Sequence, residues 1–211
     1  MPHPPLPSTA AATANPTPPA ASAVIVSGES PIATAIVHAL RAAGRATTAA
    51  RDAAAVADAV AAAQRDGMRV AALINAQHVA SASGAALETS EPAYDALIAR
   101  ELTAIFRCCK AALPHLIEHG GGAIVNVAGA AAYGRANQTA ESAAHGGVIG
   151  FGAALAYDHF NDHVRVNTIV AGAAATPADI APVALFLISP DAEVLSGSLI
   201  DVGVAAYQGG A

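Results

Sequence analysis

Beyond residue 21, short β-branched runs alternate with longer alanine-rich segments. This is the pattern of a parallel sheet covered by helices on both faces. The runs predict strands at Ala23–Ser27, Ala46–Ala50, Val70–Ile74, Ala123–Val127, Val164–Val170 and near Ser198–Val202. The segments between them predict helices at Pro31–Ala43, Asp52–Arg65, a long region Glu91–Glu118 broken near Arg100, and about Gln138–Phe160. A last helix runs to Leu187 and opens on a cap (Thr176), a first-turn proline (Pro177) and a first-turn acid (Asp179). A closed barrel of such units needs eight of them and about 250 residues. The expected fold is therefore α/β: a Rossmann-like, doubly wound parallel sheet in three layers, α/β/α.

The first 21 residues hold seven of the 13 prolines and no Lys or Arg. That composition predicts a disordered or polyproline-like tail, leaving residues 22–211 as a single domain. Its prolines interrupt both the charged and the apolar region that a secretory leader requires.

Composition narrows the function. The chain has 211 residues, 54% hydrophobic and only 12% charged, with a net charge of -6. Alanine and glycine supply much of the apolar count, so a mean hydropathy of +0.45 predicts no membrane span. The acidic balance without a basic cluster excludes nucleic acid and anionic lipid as expected partners. Cys108 and Cys109 are adjacent and fit no metal or redox spacing, so they read as core-filling groups, with a cytoplasmic location expected.

In a doubly wound sheet the ligand crevice lies beyond the carboxyl ends of the strands. The residues expected there are Ser27–Pro31, Arg51, Asn75–His78, Ala128–Tyr133 and Ala171–Thr176. The first turn, SGESPIA, keeps a single glycine, Gly28, where a dinucleotide-binding turn uses three. Pro31 opens the next helix well but removes a backbone N–H from any phosphate nest. The turn reads either as a nucleotide site or as a purely structural bend. Arg51 reads either as a partner for a ribose phosphate or as a surface residue at a helix start.

Four segments carry a resemblance: ELTAIFRCCKAALPHLIEHGGGAIVNVAG, YGRANQTAESAAHGGVIGFGAALAYDH, VRVNTIVAG and TPADIAPVALFLISPDAEVLSGSLIDVG. From Val24 onward the chain resembles the short-chain dehydrogenase/reductases, single-domain Rossmann oxidoreductases that use NAD or NADP. The resemblance places four altered residues at that family's reactive positions. Glu101 matches the asparagine, Ala128 the serine, Glu141 the tyrosine and His145 the lysine. In the turn NAQH, Asn75 is kept, while His78 brings an imidazole where the family has no side chain. Pro31 and Ala33 match the second and third glycines of the first turn.

Carbonyl reduction in that family uses a phenol as proton donor, a lysine that lowers its pKa and a hydroxyl on the substrate oxygen. Ala128 donates nothing. Glu141 and His145 stand i,i+4 and share a helix face, so they read either as a carboxylate–imidazole acid–base pair or as polar filling of a disused cleft. Glu101 can add a second carboxylate. Glu101, Glu141, His145 and His78 have ligand chemistry but no metal-binding spacing, and no metal is expected. Tyr133 reads as a substitute proton donor or as a packed loop aromatic.

Two spans are short for the resemblance. About 19 residues separate Ala50 from Val70, room for one helix where the family adds a further strand and helix beside the adenine. Residues 172–177 pass directly where the family places a substrate lid. The resemblance implies a homo-oligomer, dimer or tetramer, or a hetero-oligomer with an active paralogue. The expected function is an inactive or impaired subunit with no cofactor, or with NADP or NAD if Gly28, Arg51 and Asn75 still form a site. An oxidoreductase using Glu141 and His145, and a small-molecule binding module, are the alternatives.

Overall fold

The computed structural model describes residues 22–77 and 84–204. The expected tail, residues 1–21, and His78 lie outside the described residues.

The sheet has six parallel strands in the order β2-β1-β3-β4-β5-β6. These are β1 (Ser22–Ser27), β2 (Ala46–Ala50), β3 (Arg69–Asn75), β4 (Gly122–Gly129), β5 (Val164–Ala171) and β6 (Leu199–Val202). The helices are α1 (Pro31–Ala42), α2 (Ala53–Arg65), α3 (Glu91–Ile98), α4 (Ala104–Glu118), α5 (Thr139–Asp158) and α6 (Pro177–Leu187). The fold is the expected three-layer Rossmann-like arrangement. Only α2 connects β2 to β3, so β2 is an outer strand of the sheet. Between β5 and α6 lie just the five residues Gly172–Thr176.

Strand alternation divides the core into two layers. In β1, Val24 and Val26 face α1 and α6 and pack with Ile36, Leu40, Ile180 and Leu187. Ile25 faces the opposite side and packs with residues of α2, α4 and α5, among them Val56, Leu116 and Val148. Each such fully buried aliphatic side chain contributes about 1.5–3 kcal/mol. Cys108 and Cys109 are free thiols buried in this second layer.

Local signals explain the helix ends. Asp52 is the cap of α2 rather than its first residue, its carboxylate accepting from Ala55 N–H at 2.9 Å. Thr176 and Asp179 close a reciprocal capping box on α6. The break expected near Arg100 is a π-helical turn, Ala99–Thr103, joining α3 to α4 without interrupting the helical course. Such a turn inserts one extra residue into the helix, and here it turns Glu101 into the protein.

Candidate active site

Helix α5 buries an unusual stripe. Alongside Ala140, Ala144, Val148, Leu155 and Ala156 stand Glu141 and His145, each only 2% exposed. They do share one helix face, as i,i+4 spacing requires, but they do not pair. Among the described residues, Glu141 Oε1 and both ring nitrogens of His145 are buried without a hydrogen-bond partner. The carboxylate–imidazole pair, one of the two sequence readings, is therefore not formed. Helix α3 and the π turn pack over the start of α5, with Leu97 and Ile98 against Ala140 and Ala144, so the two polar side chains are buried and not solvated.

Glu101 reaches the same region from the π turn and is 2% exposed, with Arg100 Nε 2.7 Å from its carboxylate. Burial, and then the positive charge of Arg100, push the His145 imidazole down to about 4. At neutral pH His145 is therefore an uncharged ring. Ala128 is fully buried within the second core layer and presents no polar side-chain atom.

Tyr133 sits in a 3-10 turn, Ala130–Tyr133, directly after β4. Its hydroxyl donates to the Asp201 carboxylate on β6 at 2.5 Å. Burial and this carboxylate push its pKa up to about 12. The phenolic proton is committed to structure and harder to release, which disfavours the substitute-donor reading.

At the other end of the crevice, Asn75 is fully buried in a chain of side-chain hydrogen bonds. Ser27 Oγ donates to Asn75 Oδ1 at 2.6 Å, and Asn75 Nδ2 donates to Asn126 Oδ1 at 2.8 Å and to the Cys109 sulfur at 3.2 Å. Gln77 extends the chain through Ser27 at 3.3 Å. Burial raises the Cys109 thiol to about 12, so it stays protonated. Asn75 thus spends its polar atoms on crossing β1, β3 and β4.

Gly28, with φ +113, lies so close to the β3 exit that a Cβ would meet Ala76 O at 2.2 Å. Its place is dictated by the chain's own backbone. Arg51 is exposed, with Nε 3.3 Å from the Asp52 carboxylate, a surface pair of little energetic weight. Gly28, Glu29, Ala49, Ala50, Arg51 and Ala55 line an open cleft of ≈ 400 Å³ beside the outer strand β2.

The dinucleotide implied by the resemblance fits this turn poorly. Ser30, which the sequence reading did not single out, caps α1: its hydroxyl accepts from Ala33 N–H at 3.0 Å and donates to Ala76 O at 2.8 Å. Pro31 at the first helical position has no N–H, and Glu29 brings a carboxylate to the cleft. Ser-Pro ahead of an apolar helical run was the readable signal.

Among the described residues, the group with converging metal-ligand atoms is His115, Glu118 and His119 at the end of α4, within 4.8 Å of one another. It does not involve Glu101, Glu141 or His145. His115 Nε2 accepts from Val70 N–H at 3.1 Å, so in the neutral ring the proton sits on Nδ1. Ligation through Nδ1 would move that proton to Nε2 and set two N–H groups against each other. This trio is poorly suited to hold an ion.

A model of the short chain dehydrogenase family matches residues 18–182. Two curated relatives come from Thauera aromatica and are subunits of (2S)-[(R)-hydroxy(phenyl)methyl]succinyl-CoA dehydrogenase. Subunit BbsC is 31% identical over 185 residues, covering 76% of this chain and 73% of its own length. Subunit BbsD is 37% identical over 95 residues, which are 45% of this chain and 38% of that protein. The 3-oxoacyl-[acyl-carrier-protein] reductase FabG of Chlamydia pneumoniae is 32% identical over 129 residues, 49% of this chain and 52% of its own length. The chain thus spans about half or less of BbsD and FabG. A solved short-chain dehydrogenase/reductase structure from Burkholderia xenovorans superposes with a TM-score of 0.74 at 27% identity, covering 86% of this chain and 95% of that one.

Proposed function

Because the chain belongs to the short-chain dehydrogenase family, we propose that it is a subunit without carbonyl-reducing chemistry of its own. Its role is structural or regulatory, in a homo-oligomer or in a mixed oligomer with an active relative. The observation that supports the reading concerns the residues that the resemblance sets at the family's reactive positions: Ala128 has no polar side-chain atom, and Glu141 and His145 are buried and not hydrogen-bonded to each other. Proton delivery to a carbonyl needs a donor poised at the reacting oxygen, and these three residues do not supply it in this arrangement.

Two further features support an oligomer. BbsC and BbsD are named as subunits of one dehydrogenase, and both are similar to this chain. The outward side of α5 is small and apolar: Ala143, Gly150 and Ala154 are exposed, and Phe151 meets the exposed Phe106 of α4 edge to face, ring centroids 6.0 Å apart. A smooth apolar strip of this kind suits close approach by a partner helix.

The relatives' names favour a second reading, an NAD(P)-dependent oxidoreductase with altered catalytic residues, because they are dehydrogenases or a reductase. It requires Glu141 and His145 to come together when substrate binds, or Tyr133 to leave Asp201. Mass in solution, measured for the chain alone and mixed with an active relative, together with NADH and NADPH consumption on 3-oxoacyl and other carbonyl substrates, separates the two. A stable oligomer without consumption is expected. Turnover by the isolated chain that Glu141→Gln abolishes would replace the first reading by the second.

A further inference from the structure

We infer that Ser30 seals the β1–α1 turn from within. Its hydroxyl takes the place of a bound anion at the start of α1, so that the chain folds and assembles without a dinucleotide. A helix start attracts phosphate because its first N–H groups have no partners within the helix. In α1 those groups have been removed or used. Pro31 has none, and Ala33 N–H is held by Ser30 Oγ at 3.0 Å. At most the N–H of Ile32 is left among the opening three positions. Thr34 N–H is already bonded to Ser30 O at 3.0 Å.

The seal is held from the sheet side as well. Ser30 is 4% exposed, and its own proton goes to Ala76 O at 2.8 Å, just beyond the end of β3. One side chain therefore joins the turn, the helix start and the neighbouring strand exit. Gly28 packs on that same carbonyl, where even a Cβ would collide at 2.2 Å. The glycine is required here by the close approach of the protein's own backbone. Glu29 adds a carboxylate to the adjoining cleft, beside the exposed Arg51, whose Nε lies 3.3 Å from Asp52. Two phosphate groups would meet a carboxylate and a capped helix.

The test is binding and stability, read without turnover. The full chain is titrated with NADH, NADPH, ADP-ribose and inorganic pyrophosphate by calorimetry, and its melting temperature is followed at about 1 mM of each. No saturable heat and no rise in melting temperature are expected. Ser30→Ala should lower the melting temperature by about 2–4 °C, the usual effect of losing a cap in a domain of this size. Saturable binding of NADH or NADPH, displaced by ADP-ribose, overturns the seal. So does a Ser30→Ala variant as stable as the parent. Binding without turnover would overturn the seal and leave the subunit reading standing. Absence of both binding and any oligomer would keep the seal and overturn the subunit reading.

Discussion

Tyr133 donates its hydroxyl proton to Asp201 across 2.5 Å, tying the turn after β4 to β6, 68 residues further along the chain. A hydrogen bond to a carboxylate is stronger than a neutral one, but this one lies near the surface, where water competes for both partners. Tyr133→Phe should cost about 1 kcal/mol and lower the melting temperature by about 2–4 °C. An ultraviolet titration of the parent should show one tyrosine ionising near 12, absent from the variant. A Tyr133→Phe protein with unchanged stability and a lost turnover would show that the hydroxyl serves chemistry instead.

His145 makes folding sensitive to acid. Its imidazole is held down to about 4, against an ordinary value of 6.5, by burial and by Arg100. Glu101 and Glu141 are likewise buried. Above 6.5 the ring is neutral folded or unfolded and adds no pH dependence. As pH falls below 6.5 the unfolded chain takes up the proton first, and stability drops until the folded ring also titrates near 4. Chemical denaturation between pH 7 and 4.5 should show a loss of about 2–3 kcal/mol that His145→Leu removes. His115, lowered by burial and by His119, contributes in the same direction. A loss undiminished in His145→Leu would assign the acid sensitivity elsewhere.

The strands and helices were legible because each is set by local pattern: β-branched runs for the sheet, Thr176-Pro177 and Asp52 for helix starts. The resemblance reads Glu101, Ala128, Glu141 and His145 one position at a time from short local segments. Relations across the fold were not legible. That Glu141 and His145 share a face followed from helical geometry, but their failure to pair depends on α3 and the π turn closing over them. The Tyr133–Asp201 bond joins distant segments. The Ser30 cap is local and Ser-Pro is its signal, yet it was not singled out, and only the folded sheet reveals its second bond to Ala76.

Asn75 separates a structural role from a cofactor role. Its amide is a central link between Ser27 and Asn126 and is fully buried. Asn75→Ala would leave the Ser27 hydroxyl and the Asn126 carbonyl without this partner in a dry interior. A cost of about 2–4 kcal/mol is expected, read as an earlier urea midpoint with an unchanged slope. A variant as stable as the parent would mean that the amide is reserved for a ligand.

Two glycines of α5 make opposite predictions. A Cβ on Gly152 would lie 2.6 Å from Thr168 Oγ1 and 3.3 Å from Asn126 Nδ2, inside the sheet-facing side. Thr168 is 3% exposed on β5 and has little room to move. Gly152→Ala gains about 1 kcal/mol of helix propensity but overpacks the core, for a net loss of about 1–2 kcal/mol. Gly150 has nothing within 4 Å of such a Cβ and faces outward. Gly150→Ala should therefore raise the stability of the isolated chain by up to about 1 kcal/mol. If a partner helix lies on that strip, a larger group must block it. Gly150→Leu should then keep the melting behaviour of a folded monomer while light scattering shows a lower mass than the parent. A Gly150→Leu protein with the parent's mass would remove the α5 strip from any interface, since among the described residues nothing lies within 4 Å of a Cβ there.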